Sequence, residues 1–141
     1  MPSNNIPMQH EKIINSIKKI VKKEKGISFA YIFGSVARGA AGPLSDIDIA
    51  VFLSKEGKRN KHEIAGKISG FIGPEHIDTV ILNDAPLLMQ FNVVKESIVI
   101  KDSNERQKFE YIVMNNYLDN EYHESLQTRI GLSRIAEKGL E

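Results

Sequence analysis

The chain has 141 residues, of which 19 are Lys or Arg, 18 are Asp or Glu, and none is Cys or Trp. This length suits one domain, and the 41% hydrophobic and 26% charged fractions exclude disordered and fibrous classes. The lack of cysteine excludes disulfide scaffolds, cysteine-ligated metals and thiol catalysis. The net charge of +1 argues against a general nucleic-acid coat, so we expect no direct nucleic-acid binding.

The apolar stretches bear on where the protein works. The longest, Ile27–Phe33 and Ile47–Leu53, are much shorter than the ~18 residues that a membrane span requires. The N-terminal segment lacks a basic region followed by an apolar one, so we predict neither a signal peptide nor a membrane partner. The expected location is the cytoplasm.

Apolar periodicity predicts alternating helices and strands. We expect a flexible lead-in over residues 1–9 and a single domain over residues 10–141. In chain order the patterns predict a helix from His10, strands over Ile27–Phe33 and Asp46–Leu53, a helix over Lys58–Phe71, a strand over His76–Leu82, a helix beginning near Asn83–Pro86, a strand over Ser97–Ile100 and a helix from Asn104 to about Lys138. The fold class is therefore α/β, a small mixed sheet flanked by helices.

The segment from Gly34 to Asp48 carries the candidate chemistry. Ser35 follows a predicted strand and is a good N-cap, so we expect a short helix there whose free N–H groups bind phosphate. Gly34 lets the backbone approach such a ligand closely. Asp46 and Asp48 are two residues apart at the start of the next strand, so their side chains point to the same face. The spacing predicts paired carboxylates beside a phosphate-binding turn.

A cation is expected at these carboxylates. Two carboxylates ~4 Å apart repel by about 4 kcal/mol at an effective dielectric constant of 20. Oxygen ligands beside phosphate favour Mg²⁺. If the strand that contains Asp78 pairs with the strand that contains Asp48, Asp78 joins Asp46 and Asp48, and three carboxylates can hold two metal ions.

Other residues have an ordinary interpretation that competes with the functional one. Arg38 is predicted either to contact a triphosphate or to pair with a nearby acid. Ser45 either binds the nucleotide or caps the turn before Asp46. An isolated strand aspartate such as Asp78 is commonly a surface residue, and its context favours the functional interpretation. The lysines over 18–25 are predicted to form the solvated face of the first helix.

The sequence resembles the DNA polymerase β-like nucleotidyltransferase superfamily. Its signature is Gly-Ser, ten residues and then Asp-x-Asp, which Gly34, Ser35, Asp46 and Asp48 match. Asp78 falls where that family has its third carboxylate. The short chain is similar to the minimal nucleotidyltransferases, more narrowly to the MntA-type antitoxins encoded beside HEPN-domain toxins.

The resemblance implies a function. In this family Asp46, Asp48 and Asp78 are catalytic and bind Mg²⁺, with two ions expected, and ATP is the substrate. Gly34, Ser35, Arg38 and Ser45 are the implied nucleotide-binding residues. The implied activity is transfer of AMP from ATP to a tyrosine of a partner HEPN toxin, which blocks that toxin. Two alternatives stay open: an antibiotic-type nucleotidyltransferase with a small acceptor, and an antitoxin that neutralises by binding alone. We also expect part of the last helix, from Phe109 onward, to contact the partner.

Overall fold

The structure is a computed structural model that describes residues 8–40, 42, 46–72 and 77–137. Its elements are α1 (Met8–Lys23), β1 (Ile27–Phe33), β2 (Ile47–Leu53), α2 (Lys55–Arg59), α3 (Lys61–Ile72), β3 (Ile77–Ile81), a 3₁₀ turn (Leu82–Asp84), α4 (Leu87–Lys95), β4 (Ile98–Lys101) and α5 (Asn104–Glu137). The predicted α/β class is confirmed, and β1 has the predicted bounds.

The predicted helix over Lys58–Phe71 is wrong in its extent, because two helices occupy this region. α2 begins two residues after Leu53, the buried last residue of β2, and the Gly57 N–H donates to Ser54 Oγ over 3.2 Å, which caps the helix. It ends at Asn60, and α3 starts immediately afterwards. The apolar spacing that we used belongs to α3 alone, so the five-residue polar helix α2 left no periodic signal.

The four strands form one mixed sheet in the order β3-β2-β1-β4. β1 is antiparallel to both of its neighbours, with Phe33 opposite Asp48 in β2 and Ile32 opposite Ile98 in β4. β2 and β3 are parallel, with Asp48 opposite Asp78. The pairing that we required to bring Asp78 to the other acids is therefore present.

Each face of the sheet has its own core because side chains alternate along a strand. One face packs mainly aliphatic residues against α1 and α3, including Ile17, Ile49 and Ile68. The other face is aromatic, and Phe29 and Phe52 are stacked there with ring centroids 4.7 Å apart. Asp48 alternates with Ala50 and Phe52, so the carboxylates lie on the aromatic face.

α5 is fastened to this aromatic face. Phe109 packs against Phe29 with ring centroids 5.4 Å apart. The Tyr31 hydroxyl donates a 2.7 Å hydrogen bond to Glu110 Oε1. Burial and this carboxylate raise the pKa of Tyr31, so the phenol stays protonated and remains a donor. The helix continues through Asp119–Asn120 without a break.

Lys101, the last residue of β4, is hydrogen-bonded to the end of α1. Its Nζ donates 2.8 Å hydrogen bonds to the carbonyls of Val21 and Glu24, at the end of α1. The Val21 carbonyl lies in the last turn of α1, and the Glu24 carbonyl just beyond it also accepts from the Ile27 N–H, so the cationic donor adds to their hydrogen bonds and complements the helix dipole. The last strand thereby fixes the end of the first helix. Within the described residues, no helix is both long and apolar enough to span a membrane.

Candidate active site

The turn after β1 is one turn of helix closed by a glycine. The Arg38 N–H donates to the Gly34 carbonyl over 3.1 Å, which is a helical bond. Gly39 has φ of 72° and donates to Val36, while Ala40 donates to Ser35 over 2.9 Å. This pair of bonds around a left-handed glycine is the Schellman motif that ends helices. We name residues 34–40 the phosphate loop, after the ligand that we expect there.

The expected short helix at Ser35 is therefore a single turn and not a regular helix. Gly39 reverses the chain before a second turn can form. The N–H groups of Ser35, Val36 and Ala37 donate to no other residue in the described part of the chain, and neither does the Ser35 hydroxyl. Unpaired donors at the start of a helical turn favour an anion. The loop therefore retains the chemical property that we expected of the helix.

The structure brings the three predicted carboxylates together. Asp48 and Asp78 lie opposite each other on parallel strands, so their side chains are cross-strand neighbours on one face. Asp46 precedes β2 and reaches the same region, because its charge acts on Asp48. Asp46 and Asp78 are exposed, whereas Asp48 is half-buried. The cluster therefore has one inner and two outer carboxylates.

Gly34 places the phosphate loop directly against the inner carboxylate. A side chain at this position would overlap with Asp48 Oδ2. Gly34 also has φ of 77°, a conformation that other residues adopt at a cost. Both the turn and the close approach require glycine, so the loop backbone and Asp48 border the same small space.

The surroundings of Asp48 disfavour its ionised form. Burial raises its pKa, the negative charges of Asp78 and Asp46 raise it further, and Arg38 lowers it. A bound cation reverses this effect by stabilising the ionised carboxylate. The electrostatics of the cluster thus match a site that is completed by a positive charge.

Arg38 is paired with an acid that the sequence analysis did not identify. Its guanidinium lies 3.3 Å from Glu96 Oε2, and the two side chains are 54% and 43% exposed. Glu96 follows α4 and precedes β4, and the Ile32–Ile98 pairing brings this junction to the end of β1. No local pattern indicates this contact because 58 residues separate the partners.

The donor set fits Mg²⁺. Within the described part of the chain, no three acidic or histidine side chains are spaced to hold a metal ion as they stand. The three aspartates offer carboxylate oxygens, which Mg²⁺ prefers, and Asp48 is the half-buried carboxylate whose charge lacks sufficient compensation. Mg²⁺ usually needs one or two protein carboxylates, since phosphate and water supply the other ligands. Ser45 lies outside the described residues.

A comparison with protein families decides the class. The polymerase beta nucleotidyltransferase model matches residues 15–106 of the 141, which include the phosphate loop and all three aspartates. The chain belongs to the polymerase beta nucleotidyltransferase family. The family resemblance stated from the sequence is confirmed, and this nucleotidyltransferase has the mixed sheet expected of it.

Solved structures share the fold of this nucleotidyltransferase. A chain of a toxin–antitoxin crystal structure with AMP-PNP has a TM-score of 0.64 and 21% identity, and the match covers 84% of this chain and 98% of that one. A chain of the MntA–HepT toxin–antitoxin gives 0.61 and 19%, covering 86% and 98%. A chain from the complex of a tri-AMPylated Shewanella oneidensis HEPN toxin with MNT antitoxin gives 0.60 and 19%, with the same coverage. No curated protein matches the sequence significantly.

Proposed function

We propose that this nucleotidyltransferase is an antitoxin that transfers AMP from ATP to a tyrosine of a HEPN-domain toxin. The observation that carries the proposal is the placement of Asp48 and Asp78 on paired strands beside the phosphate loop. A phosphate-binding loop next to clustered carboxylates is suited to phosphoryl or nucleotidyl transfer. The similarity to chains of toxin–antitoxin complexes, one with AMP-PNP and one with an AMPylated toxin, supports the nucleotide and the partner.

In the proposed reaction, the acceptor hydroxyl oxygen attacks the α-phosphorus of ATP. A bond forms between that oxygen and phosphorus, and the bond from phosphorus to the bridging oxygen of the β-phosphate breaks. Pyrophosphate leaves with the bonding electron pair, and the hydroxyl proton passes to a carboxylate or to water. The products are the AMP ester and pyrophosphate.

We assign the candidate site residues different roles according to where they lie. The N–H groups of residues 35–37 and the Ser35 hydroxyl hold the β- and γ-phosphates. Asp48 on β2 and Asp46 just before it lie beside the loop and would hold Mg²⁺ near the triphosphate. Asp78 lies on the neighbouring strand, so it faces the acceptor and favours loss of the hydroxyl proton. Mg²⁺ at these carboxylates supplies charge neutralisation for the attacking and leaving oxygens.

Arg38 and Ser45 are proposed as further nucleotide contacts. Arg38 forms an ion pair with Glu96, and its positive charge also lowers the pKa of Asp48. A triphosphate is a stronger partner for a guanidinium than a single exposed carboxylate, because it offers several charged oxygens. We therefore expect Arg38 to exchange Glu96 for phosphate when ATP binds.

The test is AMP transfer to the HEPN-domain protein encoded beside this chain. Both proteins are purified, mixed with ATP and Mg²⁺, and analysed by intact-mass spectrometry, and the modified residue is mapped by fragmentation. We expect AMP on a tyrosine, with none when Asp46→Asn and Asp48→Asn are combined or when EDTA is present. Toxin that is inhibited without any mass increase would instead identify an antitoxin that acts by binding alone. Transfer to a small acceptor in place of the protein would favour the antibiotic-type activity.

A further inference from the structure

A second cleft lies on the aromatic face, away from the carboxylates. Its volume is about 350 Å³, and it lies between the end of β2 and the first turns of α5. Phe52 and Phe109 form its floor, with ring centroids 5.2 Å apart, and Ile112 forms one wall. Lys58 and Lys108 border its mouth. We name it the α5 cleft.

The α5 cleft has a large, exposed apolar side chain at its edge. Ile112 lines the cleft and is 56% exposed. The exposed side chains of Tyr111, Met114 and Leu118 lie on a different side of α5, because each residue turns the helix by about 100°. Large apolar side chains beside a cleft with an aromatic floor are typical of a protein-binding surface, where a partner residue inserts as an anchor.

The charges around the α5 cleft favour an acidic partner. Lys58 and Lys108 are exposed, and neither forms an ion pair with another residue in the described ranges. Glu105, the acid of this cleft, accepts a 2.9 Å hydrogen bond from the Ser28 hydroxyl and is thereby held toward β1. The cleft is therefore lined by two lysines and one carboxylate that is turned toward β1, and this net positive charge complements an acidic residue beside an apolar side chain.

The α5 cleft is separate from the nucleotide site. Asp48 and Phe52 lie on the same face of β2, but Ala50 between them is fully buried. Ala50 is covered by a core cluster that includes Leu82 and Val93. This packed layer closes the path from the aspartates to the cleft, so a ligand of the cleft leaves the site of ATP free.

We propose that the α5 cleft docks a protein segment that carries an aromatic or aliphatic side chain flanked by acidic residues. This proposal rests on the proposed function, because the segment belongs to the HEPN-domain partner. Docking at α5 holds the partner on the face that also carries the carboxylates. The acceptor hydroxyl is thereby delivered to Asp78 by contacts that make no use of the nucleotide.

The test measures affinity for the HEPN-domain protein encoded beside this chain. The variant Lys58→Glu/Lys108→Glu reverses the charge of the cleft mouth, and Ile112→Ser removes an apolar wall without changing charge. The control is Lys22→Glu/Lys23→Glu, which reverses two exposed lysines of α1 on the opposite side of the sheet. Binding is followed by calorimetry at two salt concentrations, with melting temperature and ATP affinity as checks on folding.

We expect the cleft charge reversal to weaken partner binding at least ~10-fold and to reduce its salt dependence, since electrostatic attraction is lost. Ile112→Ser is expected to weaken binding about fivefold with the salt dependence unchanged. The control pair and ATP affinity stay near those of the unsubstituted chain. Equal weakening by both charge reversals, or none by the cleft variants, overturns the docking site and leaves AMP transfer intact. Failure of the unsubstituted chain to bind the toxin overturns the proposed function itself.

Discussion

The ionised carboxylate of Asp48 is expected to lower the stability of the fold. The pKa of Asp48 is higher in the folded protein than in the unfolded chain, so ionised Asp48 destabilises the fold. This destabilisation is complete at a pH above the folded pKa and disappears at a pH below the unfolded pKa. In metal-free buffer at pH 7, Asp48→Asn should raise the melting temperature, because the amide is neutral and its burial beside Asp78 and Asp46 carries no charge penalty. The gain should shrink as the pH falls toward 3.

Asp102 provides a control of opposite sign. Its hydrogen bonds from Arg106, at 2.7 and 3.1 Å, lower its pKa. Its ionised form therefore stabilises the fold above the unfolded pKa, and that contribution is lost as the pH falls through the folded pKa. Asp102→Asn should lower the melting temperature at pH 7, and this loss should shrink as the pH falls through the folded pKa of Asp102. If Asp48→Asn lowered the melting temperature at neutral pH, the inference that ionised Asp48 destabilises the fold would be wrong.

Asp78 is expected to act on the rate of transfer more than on nucleotide binding. It lies on β3, across from Asp48, whereas Asp46 and Asp48 adjoin the phosphate loop. Loss of an interaction that forms in the transition state lowers turnover with little change in binding. Asp78→Asn should bind ATP as well as the unsubstituted chain but transfer AMP at least ~100-fold more slowly, a loss of roughly 2.7 kcal/mol.

Asp46→Asn and Asp48→Asn should lose both ATP binding and transfer. Calorimetry with Mg-ATP and intact-mass measurement of the partner separate the two properties. If Asp78→Asn transferred AMP at a near-normal rate, Asp78 would have no role in the reaction.

The pair Arg38–Glu96 is expected to compete with ATP. Both side chains are about half exposed, so the ion pair is weak and phosphate displaces it easily. Glu96→Gln should tighten Mg-ATP binding about threefold at low salt, because it frees Arg38. In an Arg38→Gln background the same substitution should have no effect.

Glu56→Gln, which changes an exposed acid of α2, is the matched control for the Glu96 substitution. If Glu96→Gln raised the affinity for Mg-ATP equally in the Arg38 and Arg38→Gln chains, Glu96 would act through long-range charge alone. Isothermal calorimetry of the unsubstituted chain, the two single variants Glu96→Gln and Arg38→Gln, and their combination provides this comparison as a double-mutant cycle.

At the scale of elements, α5 is longer than the sheet that it covers. Its 34 residues span about 50 Å, roughly twice the length of a seven-residue strand such as β1. Its described sheet contacts involve residues near Phe109 and Glu110. Ending the chain at Asn120 should therefore keep the fold and weaken partner binding.

The melting temperature and partner affinity of this truncated chain provide the measurement. The α5 cleft is retained in it, so residual binding should still respond to Lys58→Glu/Lys108→Glu. Undiminished binding after truncation would place the whole interface before Asn120.

The sequence analysis succeeded where a signal was local. A run of β-branched and aromatic residues that ends at Gly34 predicted β1, and the Gly-Ser and Asp-x-Asp spacing predicted that Gly34 and Asp48 lie close together. It missed the contact of Glu96 with Arg38, which requires β4 to lie beside β1. It also did not predict that the short helix at Ser35 ends after one turn, because that end depends on the positive φ of Gly39. Hydrophobic periodicity encodes neither feature.

At the scale of the molecule, Lys101 is expected to be a main link between α1 and the sheet. Lys101→Met removes the donor for the carbonyls of Val21 and Glu24 and should cost about 1–3 kcal/mol. Lys67→Met is the control, because Lys67 pairs with Glu24 at the surface, where the expected effect is below about 1 kcal/mol. Urea unfolding of both variants provides the comparison, and equal losses would contradict the linking role.

The position of Lys101 also sets an order of events during synthesis. β4 pairs with the interior strand β1 although about seventy residues separate Tyr31 from its partner Val99. The phosphate loop, the three aspartates and α4 are all made before this strand leaves the ribosome. Until then β1 has an open edge and the carbonyls at the end of α1 lack their cation. A nascent chain therefore contains every candidate site residue before its sheet is complete, and a chain whose translation stops before Lys101 lacks the strand that covers the open edge of β1.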